Sequence, residues 1–472
     1  MTATAEHAPA MTIGGVAEEA AAVLPVDNPA TGAPLGAAPV CSGRQLDRAM
    51  DAALAAAGGW AADDEARRAA LLAAAKEVSR AASRLGALVT AEQGKPAAMA
   101  IAEAYGAAGA LRYHAGLDLG AELLRDDRRG HVELARRPLG VVAAITPWNF
   151  PVAIAAAKLA PALRAGNTVV LKPSPYAPLA VLELGRLLAP LFPPGVVNVV
   201  SGGDDLGAAM VGHPVPAHVS FTGSVAAGRR VAASAGAGLK RVTLELGGND
   251  PAILLDDADP DAIAEKLFWE AFANSGQACM LVKRLYVPAS RHGRVVDALA
   301  DRARATRVGD GAVKGTELGP LTTGAQLRRV TALVEAATAG GARVAAGGAP
   351  LPGPGRFYAP TVLAGATDDL AVVTQEQFGP VLPVVPYTDL DDAVRAANAG
   401  PYGLGASVWS ADPQRAWDVA ARLDAGTVWV NSHAELTPDQ PYGGLKCSGL
   451  GVEGGVAGLH GYTGAQVRHR PR

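Results

Sequence analysis

The sequence pattern changes at the run Leu139-Gly140-Val141-Val142-Ala143-Ala144-Ile145. From here short β-branched segments alternate with helical segments of about 10–15 residues, which is typical of a parallel sheet covered by helices. The predicted strands are Val141 to Ile145, Thr168 to Leu171, Val196 to Val200, His218 to Phe221 and Val242 to Leu246. The alternation predicts a doubly wound α/β unit, whose ligands bind at the carboxyl ends of its strands.

A second series of strands with intervening helices follows the first. Its members are Ala252 to Leu255, Arg284 to Val287, Val381 to Val385, Ala406 to Trp409 and Thr427 to Val430. This series predicts another α/β domain. Because no internal repeat or long linker separates the two series, we expect the active site to lie in the crevice between them.

Upstream of the first strand the chain is predicted to be helical, after a loose leader that ends near Val26. Three alanine-rich segments are compatible with helices, at Leu46 to Ala56, Asp64 to Arg84 and Ala98 to Tyr113. Breaks are predicted at Gly58-Gly59 and at Gly94-Lys95-Pro96. Leu123 to Leu134, with a polar turn in its middle, is predicted to form a projecting hairpin.

The composition excludes several classes of protein. The 472 residues are enough for two or three domains. The three cysteines, Cys41, Cys279 and Cys447, are far apart and odd in number, which argues against disulfides and favours a reducing, cytoplasmic compartment. A net charge of −3 with scattered basic residues argues against a nucleic-acid partner. The sequence predicts no membrane span, no export signal and no metal site.

One cysteine lies between a predicted helix, Ala262 to Ala273, and a predicted strand. It belongs to the stretch Asn274-Ser275-Gly276-Gln277-Ala278-Cys279-Met280. Small residues precede Cys279 and no acidic residue neighbours it, so backbone N–H groups are expected to hold its thiolate near neutral pH. A lone cysteine beside Ala278 and Met280 is more often a small buried hydrophobe. The case for a nucleophile therefore depends on the rest of the chain.

Two polar side chains follow strands of the first series. Asn149, in the stretch 146–151, follows the first strand, where its amide is predicted to face the crevice and stabilise an oxyanion. The alternative for Asn149 is a helix cap. Glu245 ends the fifth strand between apolar residues, and a carboxyl group so placed is expected to have a raised pKa. Such a group suits general-base action on water.

Taken together, these segments resemble the NAD(P)-dependent aldehyde dehydrogenase family, in its hydrolytic, non-acylating form. The similarity extends from Asn28 to Thr463. The matching segments are P-W-N-F-P at 147–151, G-N-T-V-V-L-K-P at 166–173, F-T-G-S at 221–224, E-L-G-G at 245–248, G-Q-A-C at 276–279, E-Q-F-G-P-V at 376–381 and Y-G-G-L-K-C-S-G at 442–449. The resemblance implies two doubly wound α/β domains and a small β hairpin for oligomerisation.

The resemblance also implies a division of the chain. A dinucleotide-binding domain is expected over 1–119 and 139–247, and a catalytic domain over 248–447. Residues 120–138 and 448–472 are expected to be oligomerisation or bridging segments. The hairpin and the tail after Tyr462 are expected to join a neighbour's sheet in a homodimer or homotetramer.

Five catalytic roles follow from the resemblance. Cys279 is expected to be the nucleophile that forms a thiohemiacetal and, after hydride has left for the nicotinamide, a thioester. Asn149 is expected to donate to the oxyanion. Glu245 is expected to activate the hydrolytic water, and Lys158 and Glu453 to relay its proton.

The resemblance implies ten contacts to the cofactor. They are Thr146, Pro147, Trp148, Lys172, Ser174, Gly223, Ser224, Leu246, Glu376 and Phe378. Among them, Lys172 and Ser224 are expected at the ribose and phosphate, and Glu376 and Phe378 at the nicotinamide ribose and ring. The cofactor is expected to be NAD, with NADP as the alternative. Pro175 stands where many relatives carry a glutamate for the adenosine ribose, which leaves the preference between the two open.

The residues implied for the substrate pocket are Phe150, Ile154, Ala157, Met280 and Tyr442. At position 157 relatives often carry tryptophan, and semialdehyde-specific members can carry arginine. Alanine leaves space without charge, which predicts an apolar tunnel and an apolar medium-chain or aromatic aldehyde. The alternatives are a semialdehyde dehydrogenase, of the succinic semialdehyde or CoA-acylating type, and a catalytically idle binding protein on the same fold.

Two apparent signals carry no predicted function. Gly449 to Gly454 spells G-x-G-x-x-G, but the strand and helix that such a phosphate loop needs are not predicted around it. Cys41 and Cys447 have no base or cation beside them in sequence and are expected to be inert.

Overall fold

A computed structural model of the chain describes residues 9–472. The first eight residues of the predicted leader lie outside this range. The described chain begins with four strands and four helices. They are β1 (Met11–Ile13), β2 (Val16–Glu18), β3 (Val23–Asp27), β4 (Pro34–Pro39), α1 (Gly43–Ala62), α2 (Asp64–Arg80), α3 (Ala82–Gln93) and α4 (Ala97–Gly116).

A hairpin and the first series of alternating strands and helices come next. Their elements are β5 (Glu122–Asp127), β6 (Gly130–Pro138), β7 (Val141–Ile145), α5 (Pro151–Arg164), β8 (Thr168–Lys172), α6 (Leu179–Leu188), β9 (Val197–Val199), α7 (Asp204–Gly212), β10 (His218–Thr222), α8 (Val225–Ala237) and β11 (Arg241–Glu245).

The second series occupies most of the remaining chain. Its elements are β12 (Asp250–Leu254), α9 (Pro260–Phe272), β13 (Val282–Pro288), α10 (His292–Ala305), α11 (Gly324–Ala339), β14 (Arg343–Ala346), β15 (Thr361–Ala364), α12 (Ala371–Thr374), β16 (Val381–Tyr387), α13 (Leu390–Asn398), β17 (Tyr402–Gly403), β18 (Gly405–Trp409), α14 (Pro413–Ala420) and β19 (Thr427–Val430). The chain ends with β20 (Leu445–Lys446), β21 (Gly449–Leu450), α15 (Gly455–Gly461) and β22 (Thr463–Arg470).

Two large sheets carry the fold. The first has the order β2-β1-β9-β8-β7-β10-β11-β21, and its five central strands are parallel. The second has the order β14-β15-β16-β13-β12-β18-β19 and is parallel apart from β14. The central strands of both sheets are buried along most of their length, because helices cover both faces, whereas the edge strands β2 and β14 are partly exposed. The predicted α/β fold and the strands of both series are confirmed, with small shifts of strand ends.

The predicted hairpin is also confirmed, and the C-terminal tail joins it. β5 and β6 pair antiparallel, and β22 pairs along β6 from Thr463 opposite Pro138 to Arg470 opposite His131. The tail therefore pairs with the hairpin of its own chain. Its extension onto a neighbour's sheet stays a prediction.

The prediction that order begins near Val26 is wrong. β1 pairs with β9 at the edge of the first sheet, through Thr12 and Val199. Met11 and Ile13 are buried in the core beneath that sheet. A strand of three residues is too short to show an alternating pattern, which is why the sequence did not indicate it.

The predicted helix break at Gly58-Gly59 is wrong as well. α1 starts at a capping box formed by Ser42 and Gln45 and runs through both glycines to Ala62. Each glycine costs about 1 kcal/mol relative to alanine. Trp60, in the last turn, is buried, and its indole N–H donates to the carbonyl of Leu163 (3.1 Å). This packing outweighs the weak helix propensity.

Two further boundaries differ from the prediction. The segment expected to form one helix over 64–84 forms two, because the chain turns at Ala81 (φ −86°, ψ 4°) and α3 continues to Gln93. The second sheet contains β14 and β15, which the sequence pattern does not predict because each contains only one or two β-branched residues. The break at Gly94-Lys95-Pro96 is confirmed, with Gly94 at φ 104°.

None of the helices within residues 9–472 is long and apolar enough to span a membrane.

Candidate active site

A strained turn presents the cysteine. Asn274 and Ser275, just after α9, have φ values of 52° and 56°, in the left-handed region. Such residues cost about 1–3 kcal/mol each and persist only where their surroundings hold them. Here Asn274 Nδ2 donates to the carbonyl oxygens of Asn149 and Gln277, both at 3.2 Å. The turn before Cys279 is thereby tied to the end of the first sheet.

Cys279 is half-buried between this turn and β13. Its Sγ lies 4.0 Å from the hydroxyl oxygen of Tyr442. Burial, followed by the carboxylates of Glu376, Asp250 and Glu245, raises the pKa of the thiol to about 12. Cys279 has no acidic neighbour in sequence, but three carboxylates lie near it in the folded chain. The expected environment without acidic groups is therefore wrong. The resting thiol is protonated at neutral pH and must lose its proton within the site to act as a nucleophile.

Asn149 lies at the carboxyl end of β7 and is buried. Its Nδ2 donates to the carbonyl of Gln277 (3.0 Å), two residues before Cys279. A primary amide has two N–H donors, so the second can serve a ligand at the cysteine. The helix-cap alternative is wrong, because the N-cap of α5 is Phe150 and the first N–H groups of α5 donate to Glu103.

Glu245 ends β11 and is 4% exposed. Within residues 9–472 neither of its carboxylate oxygens has a hydrogen-bond partner. Burial raises its pKa well above the ordinary value, as expected; the charge of Glu453 adds to the shift and that of Lys158 opposes it. The turn that follows packs on the cysteine, since a Cβ on Gly248 would lie 2.5 Å from the carbonyl oxygen of Cys279. The unpaired carboxylate oxygens of Glu245 beside this turn suit a general base.

Lys158 and Glu453 form a buried ion pair next to Glu245. Lys158 Nζ donates to Glu453 Oε1 (2.6 Å) and to the Ser220 hydroxyl (3.0 Å). The backbones of Glu453 and Tyr442 bond each other in both directions at 2.7 Å. The structure thus brings the two predicted relay residues together and connects them to the tyrosine at the cysteine.

The strand order of the first sheet reverses at β7, with β8 and β9 on one side and β10 and β11 on the other. Thr146 follows β7, and Gly223 and Ser224 follow β10, so all three lie at this reversal. Ser224 is the N-cap of α8 and accepts from the N–H of Ala227 (3.2 Å). A helix N-terminus at a strand-order reversal is the usual place for a dinucleotide phosphate.

Three other predicted cofactor residues lie at the same edge. Lys172 ends β8, its Nζ donates to the carbonyl of Pro173 (3.1 Å), and burial lowers its pKa to about 8. Ser174 lies buried two residues further on. Leu246 follows β11 and packs against Gly228 of α8. These residues form one continuous edge of the sheet.

Glu376 and Phe378 approach that edge from the second sheet, in the segment before β16. Glu376 Oε1 accepts from the N–H of Gly248 (3.1 Å), and burial raises its pKa to about 7. The ring of Phe378 meets that of Trp148 edge to face, with centroids 5.4 Å apart. Pro147, directly before Trp148, is half-buried. The predicted nicotinamide residues therefore join the two sheets.

The predicted pocket residues surround the start of α5. Ile154 and Ala157 are three residues apart, share one face of α5 and are half-buried. One face of the Phe150 ring is covered by Lys95 Nζ, 3.5 Å from the ring centroid. Met280 is half-buried directly after the cysteine.

The structure reveals buried charges near the cysteine that the sequence reasoning missed. Lys283 Nζ donates to the carbonyl of Gly276 (2.6 Å), and burial lowers its pKa to about 8. Asp250 faces His433, with Oδ2 3.4 Å from Nε2. Lys283 lies directly before the predicted strand 284–287 and Asp250 two residues before the predicted strand 252–255, so a charged residue at the start of a buried strand was the available signal for both.

The two remaining cysteines differ from each other. Burial raises the pKa of the Cys41 thiol to about 12, which agrees with an inert residue. Cys447 has no cation beside it in sequence, but in the folded chain Arg229 Nη2 donates to its Sγ (3.3 Å). The two residues are 218 positions apart in sequence, so only the tertiary structure brings them together.

The family model described as the aldehyde dehydrogenase family matches residues 16–467. The chain belongs to this family. A betaine aldehyde dehydrogenase of Brucella melitensis is 38% identical over 461 residues, which cover 96% of this chain and 95% of that protein. A phenylacetaldehyde dehydrogenase of Pseudomonas fluorescens is 42% identical over 366 residues, 75% of this chain and 73% of that protein.

Solved structures agree with this assignment. The NAD⁺ complex of an aldehyde dehydrogenase from Bacillus cereus has a TM-score of 0.96 and 34% identity, covering 98% of this chain and 97% of that one. An NADP-dependent enzyme of E. coli has a TM-score of 0.96 and 33% identity, covering 98% of both chains. The chain of 472 residues is therefore an NAD(P)-dependent oxidoreductase of the aldehyde dehydrogenase family, as predicted.

The crevice of the dehydrogenase fits a dinucleotide. The hydroxyl oxygens of Thr146 and Thr222 are buried and, in the described part of the chain, lack hydrogen-bond partners. Beside them are the N-terminus of α8 at Ser224 and the cation of Lys172. A Cβ on Gly247 would collide with the Glu376 carboxylate, so glycine is needed where that carboxylate approaches the backbone.

Proposed function

We propose that this dehydrogenase oxidises an aldehyde to a carboxylate through covalent catalysis on Cys279, followed by hydrolysis of the thioester. The observation that carries the proposal is the Glu245 carboxyl group, buried beside the cysteine turn with both oxygens unpaired among the described residues. A base for water is what hydrolysis requires and what a CoA-acylating enzyme does not need.

In the first half-reaction the Cys279 thiol releases its proton to water, and the thiolate Sγ adds to the aldehyde carbon, whose C=O electron pair moves to the oxygen. The resulting oxyanion accepts hydrogen bonds from the second N–H of the Asn149 amide and from the backbone N–H of Cys279. One such donor contributes about 3–4 kcal/mol to the barrier reduction. When bound, NAD(P)⁺ accepts the hydride of the C–H bond, with Glu376 and Phe378 holding its nicotinamide end.

In the second half-reaction Glu245 takes a proton from water, and the water oxygen attacks the thioester carbon. The C–S bond breaks, the remaining proton of the attacking water passes to the departing sulfur, and the carboxylate product leaves with the Cys279 thiol restored. The Lys158–Glu453 pair, joined at 2.6 Å, lies close enough to Glu245 to influence its pKa and is proposed to carry away the proton that Glu245 accepted.

We infer that the substrate is an apolar medium-chain or aromatic aldehyde. Ile154 and Ala157 leave an uncharged surface on α5, and Lys95, which covers Phe150, is itself fully buried. The similarity to a phenylacetaldehyde dehydrogenase supports an aromatic substrate. The similarity to a betaine aldehyde dehydrogenase makes betaine aldehyde the informative competitor.

The cofactor preference and the assembly belong to the same proposal. We propose NAD with NADP as an alternative; Pro175 offers no carboxylate to an adenosine ribose and therefore does not decide between them. The domain boundaries at 120, 139, 248 and 448 and a homodimeric or homotetrameric state also remain proposals.

The test is a panel of aldehydes in which NAD(P)H formation is followed with NAD⁺ and with NADP⁺. We expect kcat/KM to rise from acetaldehyde to hexanal and phenylacetaldehyde, and Cys279→Ala to abolish both NAD(P)H formation and ester hydrolysis. Cys447→Ala serves as the matched control and should retain activity. Turnover by Cys279→Ala would exclude the mechanism, and a preference for succinic semialdehyde or betaine aldehyde would exclude the apolar substrate.

A further inference from the structure

The segment Glu92-Gln93-Gly94-Lys95 leads from the last turn of α3 toward α4, and the sequence predicts only a helix break at Gly94-Lys95-Pro96. In the structure its polar side chains are buried and reach different parts of the molecule. Glu92 accepts from the N–H groups of Leu179 and Ala180 at the start of α6 (2.6 and 2.8 Å). The other two polar side chains, of Gln93 and Lys95, point toward the active site.

Lys95 bonds directly to the residue that carries the proposed oxyanion donor. Its Nζ donates to the backbone carbonyl of Asn149 (2.7 Å) and to Glu103 Oε2 (2.6 Å), and it lies over the ring of Phe150. Lys95 is 1% exposed. Hydrogen bonds from a buried ammonium are charge-assisted and strong, so they restrict the atoms that accept them.

Glu103 of α4 continues this contact into α5. Its Oε1 accepts from the backbone N–H groups of Val152 (2.9 Å) and Ala153 (3.1 Å), the first donors of that helix. A carboxylate at a helix N-terminus is stabilised by the helix dipole. The Lys95–Glu103 pair thus holds the backbone on both sides of Phe150, between Asn149 and the first turn of α5.

Gln93 completes the arrangement from the opposite side. Its Nε2 donates to Asn274 Oδ1 (3.2 Å), while Asn274 Nδ2 donates to the carbonyls of Asn149 and Gln277. The Asn149 amide donates to that same Gln277 carbonyl. One N–H of the Asn149 amide is therefore fixed by the turn that precedes Cys279, and the direction of its second N–H follows from the first.

We propose that Lys95 and Glu103 are positioning residues for the Asn149 side-chain amide; the proposal rests on the oxyanion role proposed above. They touch neither the substrate nor Cys279. They set the backbone from which the amide projects, and a donor displaced by a fraction of an ångström loses much of its stabilisation of the oxyanion.

The experiment removes both charges together, because a single substitution would leave the other charge buried and unpaired. In Lys95→Met/Glu103→Gln, glutamine retains an oxygen for the N–H groups of α5. We expect kcat for aldehyde oxidation to fall about 10–100-fold, a loss within the range for one oxyanion donor. The KM for aldehyde and the dissociation constant of NAD⁺ should stay within about twofold, since neither residue contacts those ligands.

The decisive measurement is a double-mutant cycle with Asn149→Ala. If the pair acts through the amide, it should lower kcat less than about twofold once the amide is gone. Glu92→Gln is the matched control, because it alters the same buried segment at its bond to α6 and should leave kcat unchanged. Lys95→Gln/Glu103→Gln, which also removes both charges but keeps polar side chains in the buried site, is the second variant if the first pair variant does not fold.

The outcomes separate the two proposals. If Asn149→Ala lowers kcat but the pair variant does not, or if their losses simply multiply, the positioning proposal is overturned and the proposed function stands. If Asn149→Ala itself leaves kcat unchanged, the oxyanion role fails, and the positioning proposal falls with it. A fall in kcat of the same size in Glu92→Gln would indicate a general loss of structure and would also overturn the positioning proposal.

Discussion

The carboxyl group of Glu245 is buried, and burial raises its pKa. Neither of its oxygens has a hydrogen-bond partner within residues 9–472. Glu245→Gln keeps the shape of the side chain and removes the base. We expect this variant to form the thioester and release one equivalent of NAD(P)H in a burst, then to stall. Rapid-mixing absorbance measurements check this, with Cys279→Ala as the control without a burst.

Two results would contradict this role of Glu245. Absence of the burst would place Glu245 in a step before hydride transfer, and normal steady-state turnover would remove it from the mechanism. In the wild type, deacylation should accelerate as pH rises through the raised pKa of Glu245, because the base acts as the carboxylate.

The Cys279 thiol gives a second prediction at the level of single residues. Its pKa is raised to about 12 by burial, then by Glu376, Asp250 and Glu245. Because a thiol below its pKa gains thiolate in proportion to hydroxide, alkylation by iodoacetamide should accelerate about tenfold per pH unit between about pH 7 and 9. Labelling of Cys279→Ala measures the background from Cys41 and Cys447. A plateau in the rate below pH 9 would show that a cation neutralises the three carboxylates.

Among the elements, α5 controls the proposed substrate preference. Each methylene buried beside Ile154 and Ala157 should contribute about 0.8 kcal/mol to transition-state binding. We therefore expect Ala157→Trp to reverse the increase in kcat/KM from acetaldehyde to hexanal. Ala73→Trp, at an exposed position of α2, is the control for the introduction of a tryptophan. An unchanged order of substrates in Ala157→Trp would place the pocket elsewhere.

The contact between α3 and α4 gives a prediction on stability. A Cβ on Gly86 of α3 would lie 2.9 Å from the backbone N of Ile101 in α4, so the helices would have to separate. Gly86→Ala should lower the free energy of unfolding by about 1–3 kcal/mol. Gly106→Ala is the matched control, because no atom of the described chain lies within 4 Å of its added methyl group.

Urea denaturation checks both substitutions. Gly106→Ala should raise the free energy of unfolding by up to about 1 kcal/mol, the difference in helix propensity between the two residues. Equal effects of the two substitutions would show that the contact between α3 and α4 can accommodate a methyl group at Gly86.

At the scale of the whole molecule, β22 adds a third strand to the β5–β6 hairpin and carries exposed Val467, while β5 carries exposed Leu123 and Leu124. Exposed apolar side chains on a small projecting sheet favour an interface between copies of the chain. Removing residues 464–472 deprives β6 of this partner strand. We expect the full chain to be a dimer or tetramer by light scattering and the truncated chain to be a monomer. Unchanged assembly after truncation would place the interface on another surface.

Much of this architecture could be predicted before the tertiary structure was known. The strands of both series are predicted by their β-branched runs, because a strand buried on both faces must be apolar at successive positions. Asn149 and Glu245 are predicted by their place directly after such strands. The elements β1, β14 and β15 escape prediction because each contains only one or two β-branched residues, whereas β9 and β19, which are equally short, lie in runs with three or more.

The sequence by itself determined the fold class, the family resemblance and the order of the candidate site residues along the chain. Only the tertiary structure decided their environment. It surrounds Cys279 with three carboxylates, places Arg229 beside Cys447 and buries Lys95 against the carbonyl of Asn149. Local patterns depend on neighbours a few residues apart, whereas a pKa or a buried ion pair depends on groups that lie tens to hundreds of residues away in sequence and meet only after folding.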